Sequence, residues 1–438
     1  MSQTITAGDE PPQTPQSPHD EQADPVPVRA GSPAELLAII PHLLGFVPES
    51  SLVLIGTEPS RSHVRVTLRY DLPDPPDADV AADIAAHAVG VIGAQGLTTT
   101  LAVGYGPESL VDPVAGALRD AMRKAGIELR EFLRAEAGRY WSYVCSDEAC
   151  CPAAGVPYGA SAESASAALT EIATAAGMEI VAAGTIAPTA SQVLPDRAAV
   201  AARVAPLGGI AAESMRQATR RAERHVTRLL SKIRKSGRLG AIRHLIAAEG
   251  LAEVGAMITT YRAGGTFSTD YQIAWMTVAL RDLRVRDDAW ARMDPAHRDA
   301  HRRLWTDVTR RAQPGYVAAP AALLAFVAWQ VGDGALANVA LDRALADDSR
   351  YSMALLLRQV ITAGAPPSMA RLPMTPEEVA ASYDDAEEDI AGEDDNAEDD
   401  NAEQDNAEQD NGEDAWDDTE YDHGLDPVVH DPDPDGEP

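Results

Sequence analysis

The chain has 438 residues, 45% of them hydrophobic, which is an ordinary globular share and enough for two or three domains with a sizeable core. Its formal net charge of −32 sits mainly at the ends: 26 of the 68 acids lie in residues 384–438, where there is no Lys or Arg, so the body between the tails is near neutral and its global charge argues neither for nor against nucleic acid. Three cysteines exclude a disulfide framework and point to a reducing, cytoplasmic compartment. The polar, acidic N-terminus excludes a secretory signal, and the longest apolar stretch, at 318–329, is too short to cross a bilayer.

Residues 1–29 are rich in Pro, Gln, Asp and Glu without apolar periodicity and read as disordered. Structure is expected from Ser32, where S-P-A-E supplies an N-cap, Pro33 at the first helical position and Glu35 to close a capping box; the helix then meets Pro41. L-V-L-I at 52–55 reads as a buried strand. Strict alternation over 63–70 predicts a half-exposed strand hairpin-paired to it. A helix over 77–95, a strand over 98–103, a helix opened by Gly106-Pro107 and closed by Gly126, and strands at 127–133 and 139–144 follow. This order gives an α/β domain over 30–185, a mixed sheet with helices.

The rest reads as an all-α domain over 190–366. Helices are expected near 162–176, 197–204, 211–235, 239–248, 270–284, 295–312, 320–331, 335–346 and 351–362, and the stretch 320–362 reads as helical-hairpin packing. From about 380 to 438 the chain is acidic and of low complexity, with D-N-A-E at 395, 400 and 405; like charges repel throughout, and it reads as a disordered tail.

Three blocks resemble one family: S-P-A-E-L-L-A-I-I-P-H-L-L-G-F-V-P-E-S-S-L-V (32–53), R-Y-W-S-Y-V-C-S-D-E-A-C-C-P (139–152) and A-W-Q-V-G-D-G-A-L-A-N-V-A-L-D-R-A-L (328–345). They are similar, in the same order, to the actinobacterial domain-of-unknown-function family numbered 4192. The resemblance implies that about 30–366 is one evolutionary unit, and it implies no activity or catalytic residue.

Chemistry-bearing clusters are few. Cys145, Cys150 and Cys151 follow a strand bearing Tyr140, Trp141 and Tyr143. Cys145 and Cys150 are spaced to share a metal across a turn. Cys151 is expected to point away, as neighbours do in extended chain, so no metal at one-to-one stoichiometry is expected. Buried structural thiols, a metal site and a redox pair are the three readings. Gly104-Tyr105-Gly106 precedes a helix but departs from a nucleotide fingerprint, with Ser109 at the third glycine position and Pro107 removing a helix donor. His297 and His301 are spaced i, i+4 but lie among Arg and Asp, which reads as a wet face. Arg216, Arg220, Arg224, Arg228 and Lys232 step by four along one helix within a local basic excess over 213–243. This face is either solvated or a site for an acidic partner: nucleic acid, an acidic protein or the chain's own tail.

The residues therefore favour a non-catalytic cytosolic binding or scaffold protein that requires no cofactor and no membrane. A second reading is an enzyme or small-ligand-binding protein with a site near the aromatic-Cys block (Trp141, Tyr143) and the Gly104 turn (Tyr105). A third is nucleic-acid binding through the basic helix.

Overall fold

The computed structural model describes residues 31–58, 64–159, 193–234, 240–369 and 374–384. The first helix, α1 (Pro33–Leu44), begins with the expected capping box. Ser32 Oγ accepts from the Glu35 N–H at 3.3 Å, and the Glu35 carboxylate accepts from the Ser32 N–H at 3.1 Å. The helix runs through Pro41 to Gly45, which takes φ 78°. Proline removes one helical donor, but Leu43 and Leu44 pack against the cores beyond it, and that burial outweighs the lost bond.

Six strands follow: β1 (Ser51–Thr57), β2 (Val64–Asp71), β3 (Thr99–Tyr105), β4 (Glu128–Glu136), β5 (Arg139–Ser142) and the two-residue β6 (Val156–Pro157). They form one sheet in the order β2-β1-β3-β4-β5-β6. The pair β3–β4 is parallel and the others antiparallel, so the sheet is mixed. The parallel pair is joined by α3 (Glu108–Ala125), a connection that parallel strands require. With α2 (Ala78–Ala94), α3 covers one face, burying Leu52, Leu54, Ala102 and Phe132. On the other face α1 buries Val53, Ile55, Val103 and Leu133. Strands covered on both sides read as continuous apolar runs, as L-V-L-I does. The alternation in β2 reports its edge position: Val66, Leu68 and Tyr70 pack inward and Arg65 is exposed.

Beyond the sheet the chain is helical: α4 (Arg197–Val204), α5 (Gly209–Arg234), α6 (Gly240–Arg262), α7 (Asp270–Ala279), α8 (Leu283–Ala291), α9 (Arg298–Arg311), α10 (Ala318–Gln330), α11 (Gly334–Asp347) and α12 (Ser352–Thr362). Their common core is centred on α10, whose residues Ala318 to Trp329 are all buried. Two departures from the expected helices have clear causes. Gly250 sits inside α6 because a Cβ there would lie 2.8 Å from Ala279 and 3.0 Å from Val285; it marks close helix packing where a stop was expected near 248. The stretch 270–284 divides because the Asp282 side chain caps α8, accepting from the Arg284 N–H at 2.9 Å. The helix expected over 162–176, residues 1–29 and residues 385–438 lie outside the described residues; the expected start of the acidic tail near 380 is too early, since 376–384 is helical.

The described residues up to Ala380 form one compact unit. The α/β and helical portions meet where Phe46 pairs with Leu194. The Val47 N–H donates to the Leu194 carbonyl at 3.0 Å, the Leu194 N–H donates to the Gly45 carbonyl at 2.9 Å, and Phe46 belongs to the helical core. At the other end, Gln95 Nε2 donates to the Gly364 carbonyl at 3.1 Å. No helix among the described residues is long and apolar enough to cross a membrane.

Candidate functional site

The loop between β5 and β6 carries all three cysteines. It does not run extended as expected. The N–H groups of Cys150 and Cys151 both donate to the Asp147 carbonyl, at 3.1 and 2.7 Å, which winds 147–151 into a helical turn. Asp147 tightens this turn through its side chain, which accepts from the Ala149 N–H at 2.9 Å. In such a turn adjacent side chains differ by about 100°, so Cys150 and Cys151 both reach Cys145. The expectation that Cys151 would point away is therefore corrected: the three sulfurs lie within 4.8 Å of one another.

Both ends of the loop are tied down. Ser142 Oγ accepts from the N–H groups of Cys145 and Val144, at 2.9 and 3.1 Å, and donates to Glu131 at 2.7 Å. On the far side, Trp141 Nε1 donates to the Ala153 carbonyl at 3.0 Å, and Arg139 donates to the carbonyls of Ala154 and Gly155 at 3.1 and 2.9 Å. Gly155 has φ 73°, and a Cβ there would come within 2.6 Å of the Trp141 ring, so only glycine fits. The thiols differ in character. The Asp147 N–H, hydrogen-bonded to Cys145, holds that thiol below its ordinary value, whereas desolvation and the two neighbouring thiols push Cys151 up to about 12. Cys150 is exposed and the other two are partly so.

The three aromatic candidates do not converge. Gly104, Arg134 and Trp141 are register partners across β3, β4 and β5, as are Tyr105, Ala135 and Tyr140 in the next row. Adjacent rows face opposite sides of a sheet, so the sheet separates Tyr105 from Trp141. Tyr105 is buried on the α1 face, and burial holds its hydroxyl well above the usual range. Tyr143 lies with Trp141 on the α3 face, stacked edge-on against Phe132 with centroids 5.1 Å apart and hydrogen-bonded to Asp112. Gly104 serves packing: a Cβ would meet Val111 of α3 at 2.3 Å.

The arginine ladder lies on α5. That helix buries Met215, Thr219, Ala222 and Leu229, which leaves Arg216, Arg220, Arg224 and Arg228 exposed along the opposite side. Arg216 pairs with Glu213; among the described residues Arg220, Arg224 and Arg228 form no ion pair. Glu223 and Glu249 are engaged elsewhere, accepting from Tyr316 at 2.8 Å and meeting His225 at 2.7 Å. The Lys232 side chain lies outside the described residues.

A model of the family described as a domain of unknown function, DUF4192, matches residues 33–368. The chain belongs to the DUF4192 family. No curated protein and no solved structure matches it.

Two features of this DUF4192 unit were not apparent from residue spacing. Arg134, 7% exposed, lies 3.9 Å from the Trp141 ring centroid and pairs with Glu136 at 2.6 Å. It stands in β4 among other charged residues, Arg130, Glu131 and Glu136, and only the register with β5 brings it to Trp141. His301 is 1% exposed, not on a wet face, while His297 precedes α9 in a 3-10 turn and bonds Asp294 at 3.0 Å. Among the described residues neither histidine belongs to a cluster of three metal-ligating groups. A separate cleft of about 330 Å³ is lined by Arg262, Arg292, Asp294 and Pro376, and its arginines are paired with Asp294 and Asp288.

Proposed function

We propose that this chain is a non-catalytic binding protein that receives an acidic protein segment on the arginine face of α5. The observation that supports this most is the set of exposed guanidinium groups at Arg220, Arg224 and Arg228, on a helix whose other side is buried, with no carboxylate paired to them among the described residues. Four residues of helix rise about 6 Å, which suits carboxylates on alternate residues of an extended peptide, spaced at about 6.6 Å. Guanidinium groups match carboxylates in a two-bond fork, so the ladder favours acidic side chains over a diffuse anion. The near-neutral body and the neighbouring Glu213 and Glu223 disfavour nucleic acid, whose binding domains carry a strongly basic surface. The three free thiols favour a cytosolic setting, and the resemblance noted in the sequence favours an actinobacterial source.

Anisotropy of a labelled acidic peptide and of a labelled DNA duplex, titrated with the full chain at low and physiological salt, tests this reading. The peptide is expected to bind with an affinity that weakens as salt rises, and the duplex to bind at least tenfold more weakly. Equal or tighter duplex binding would favour the nucleic-acid reading, and no binding of either would leave α5 a solvated face.

A further inference from the structure

We propose that Cys145, Cys150 and Cys151 form a three-thiolate site for a thiophilic d10 cation, with Zn²⁺ the ion it takes. This goes beyond the binding function assigned to α5 and rests on a different part of the chain.

Distance is the first argument. Tetrahedral zinc with bonds of about 2.3 Å holds its sulfurs about 3.8 Å apart. The three sulfurs already lie within 4.8 Å of one another, so each pair needs to close by at most about an ångström. Preorganisation is the second. The helical turn at 147–151 aims Cys150 and Cys151 together, Ser142 fixes the Cys145 backbone, and Trp141 and Arg139 fasten the far end of the loop. A loop held at both ends loses little entropy when an ion enters. Exposure is the third. Free cysteines kept for packing are among the most buried residues, yet Cys150 is exposed and its two partners are partly so. Thiolate donors select zinc and copper(I) over calcium or magnesium. On binding, each thiol releases its proton to water as its sulfur takes up the ion, and the fourth position is open to water or an added ligand. A disulfide between any two of these cysteines would leave the third alone and remove the site.

The full chain, purified without chelator, should carry about one equivalent of zinc, and its three thiols should resist alkylation until chelator is added. Co²⁺ replacing the zinc should give thiolate-to-metal charge-transfer absorption. That readout needs no variant and is unaffected by a substitution that fails to fold. Cys145→Ser, Cys150→Ser and Cys151→Ser should each lose the equivalent while keeping the parent's circular dichroism. Ser142→Ala, which frees the Cys145 backbone but removes no ligand, should weaken zinc about 10- to 100-fold against a competing chelator. The proposal is overturned by zinc below about a tenth of an equivalent with no cobalt band. It is equally overturned by a metal equivalent that survives all three serine variants, or by a mass showing two of the thiols oxidised to a disulfide in freshly prepared protein.

Discussion

His301 sits on α9 with 1% of its surface exposed, and Arg262 approaches its ring to 3.5 Å. Burial, reinforced by the Arg262 charge, lowers its pKa from 6.5 to about 4. The folded chain therefore keeps this imidazole neutral through a range where the unfolded chain protonates it. Its contribution to stability is complete above pH 6.5 and is lost as pH falls toward 4, by about 3 kcal/mol in all. Urea denaturation at pH 7 and pH 4.5 should show the parent losing about 2–3 kcal/mol more than His301→Gln. Equal losses would contradict the assignment. Spacing alone gave this residue the wrong setting. Arg298, Asp299, Arg302 and Arg303 surround it in sequence, but α9 turns them outward or sideways while His301 follows Ala300, Leu304, Trp305 and Val308 into the core. Cys151 misled in a similar way, because residue order does not reveal that Asp147 bends the chain into a turn.

Elements were legible where one period dominated. The alternation of β2, the capping box of α1 and the continuous apolar run of α10 each reflect a local rule that packing obeys. Boundaries failed where a residue had a long-range reason. Gly250 looks like a stop but lets α6 approach α7 and α8, and the short β6 exists only because Tyr140 and Arg139 offer it a partner edge. Gly104 is another such residue, set in β3 so that α3 can lie close to the sheet. Gly104→Ala would place a Cβ 2.3 Å from Val111, and it should destabilise the fold by about 1–3 kcal/mol. The neighbouring Gly106→Ala, whose Cβ would meet nothing nearer than 3.9 Å but whose φ is 142°, tests backbone strain in place of crowding. Denaturation midpoints of the two variants separate these costs. An unchanged midpoint for Gly104→Ala would show that α3 moves aside freely.

Across the whole molecule, Phe46 links the two portions. It leaves α1 beside the sheet, packs in the helical core with 3% of its surface exposed, and has the Arg69 guanidinium 5.5 Å above its ring. Phe46→Ala should cost about 3–5 kcal/mol and should lower protection against hydrogen exchange in both portions. Loss of protection confined to the helices would mean that they are not coupled through this contact. The proposed function depends on a second feature of this scale, the exposed arginine face of α5 on a near-neutral body. Each exposed guanidinium–carboxylate pair is worth only about 0–1 kcal/mol, so affinity must come from several acting together and must fall as salt rises. The decisive measurement is binding of the acidic peptide to the full chain carrying Arg220→Glu, Arg224→Glu and Arg228→Glu. The comparison protein has the same change in net charge placed elsewhere, at the exposed Arg65, Arg123 and Arg350. Reversal on α5 is predicted to weaken binding roughly tenfold or more, about three exposed pairs' worth, while the comparison protein binds as the parent does. Equal weakening in both proteins would show that net charge alone sets the affinity, and would contradict the account.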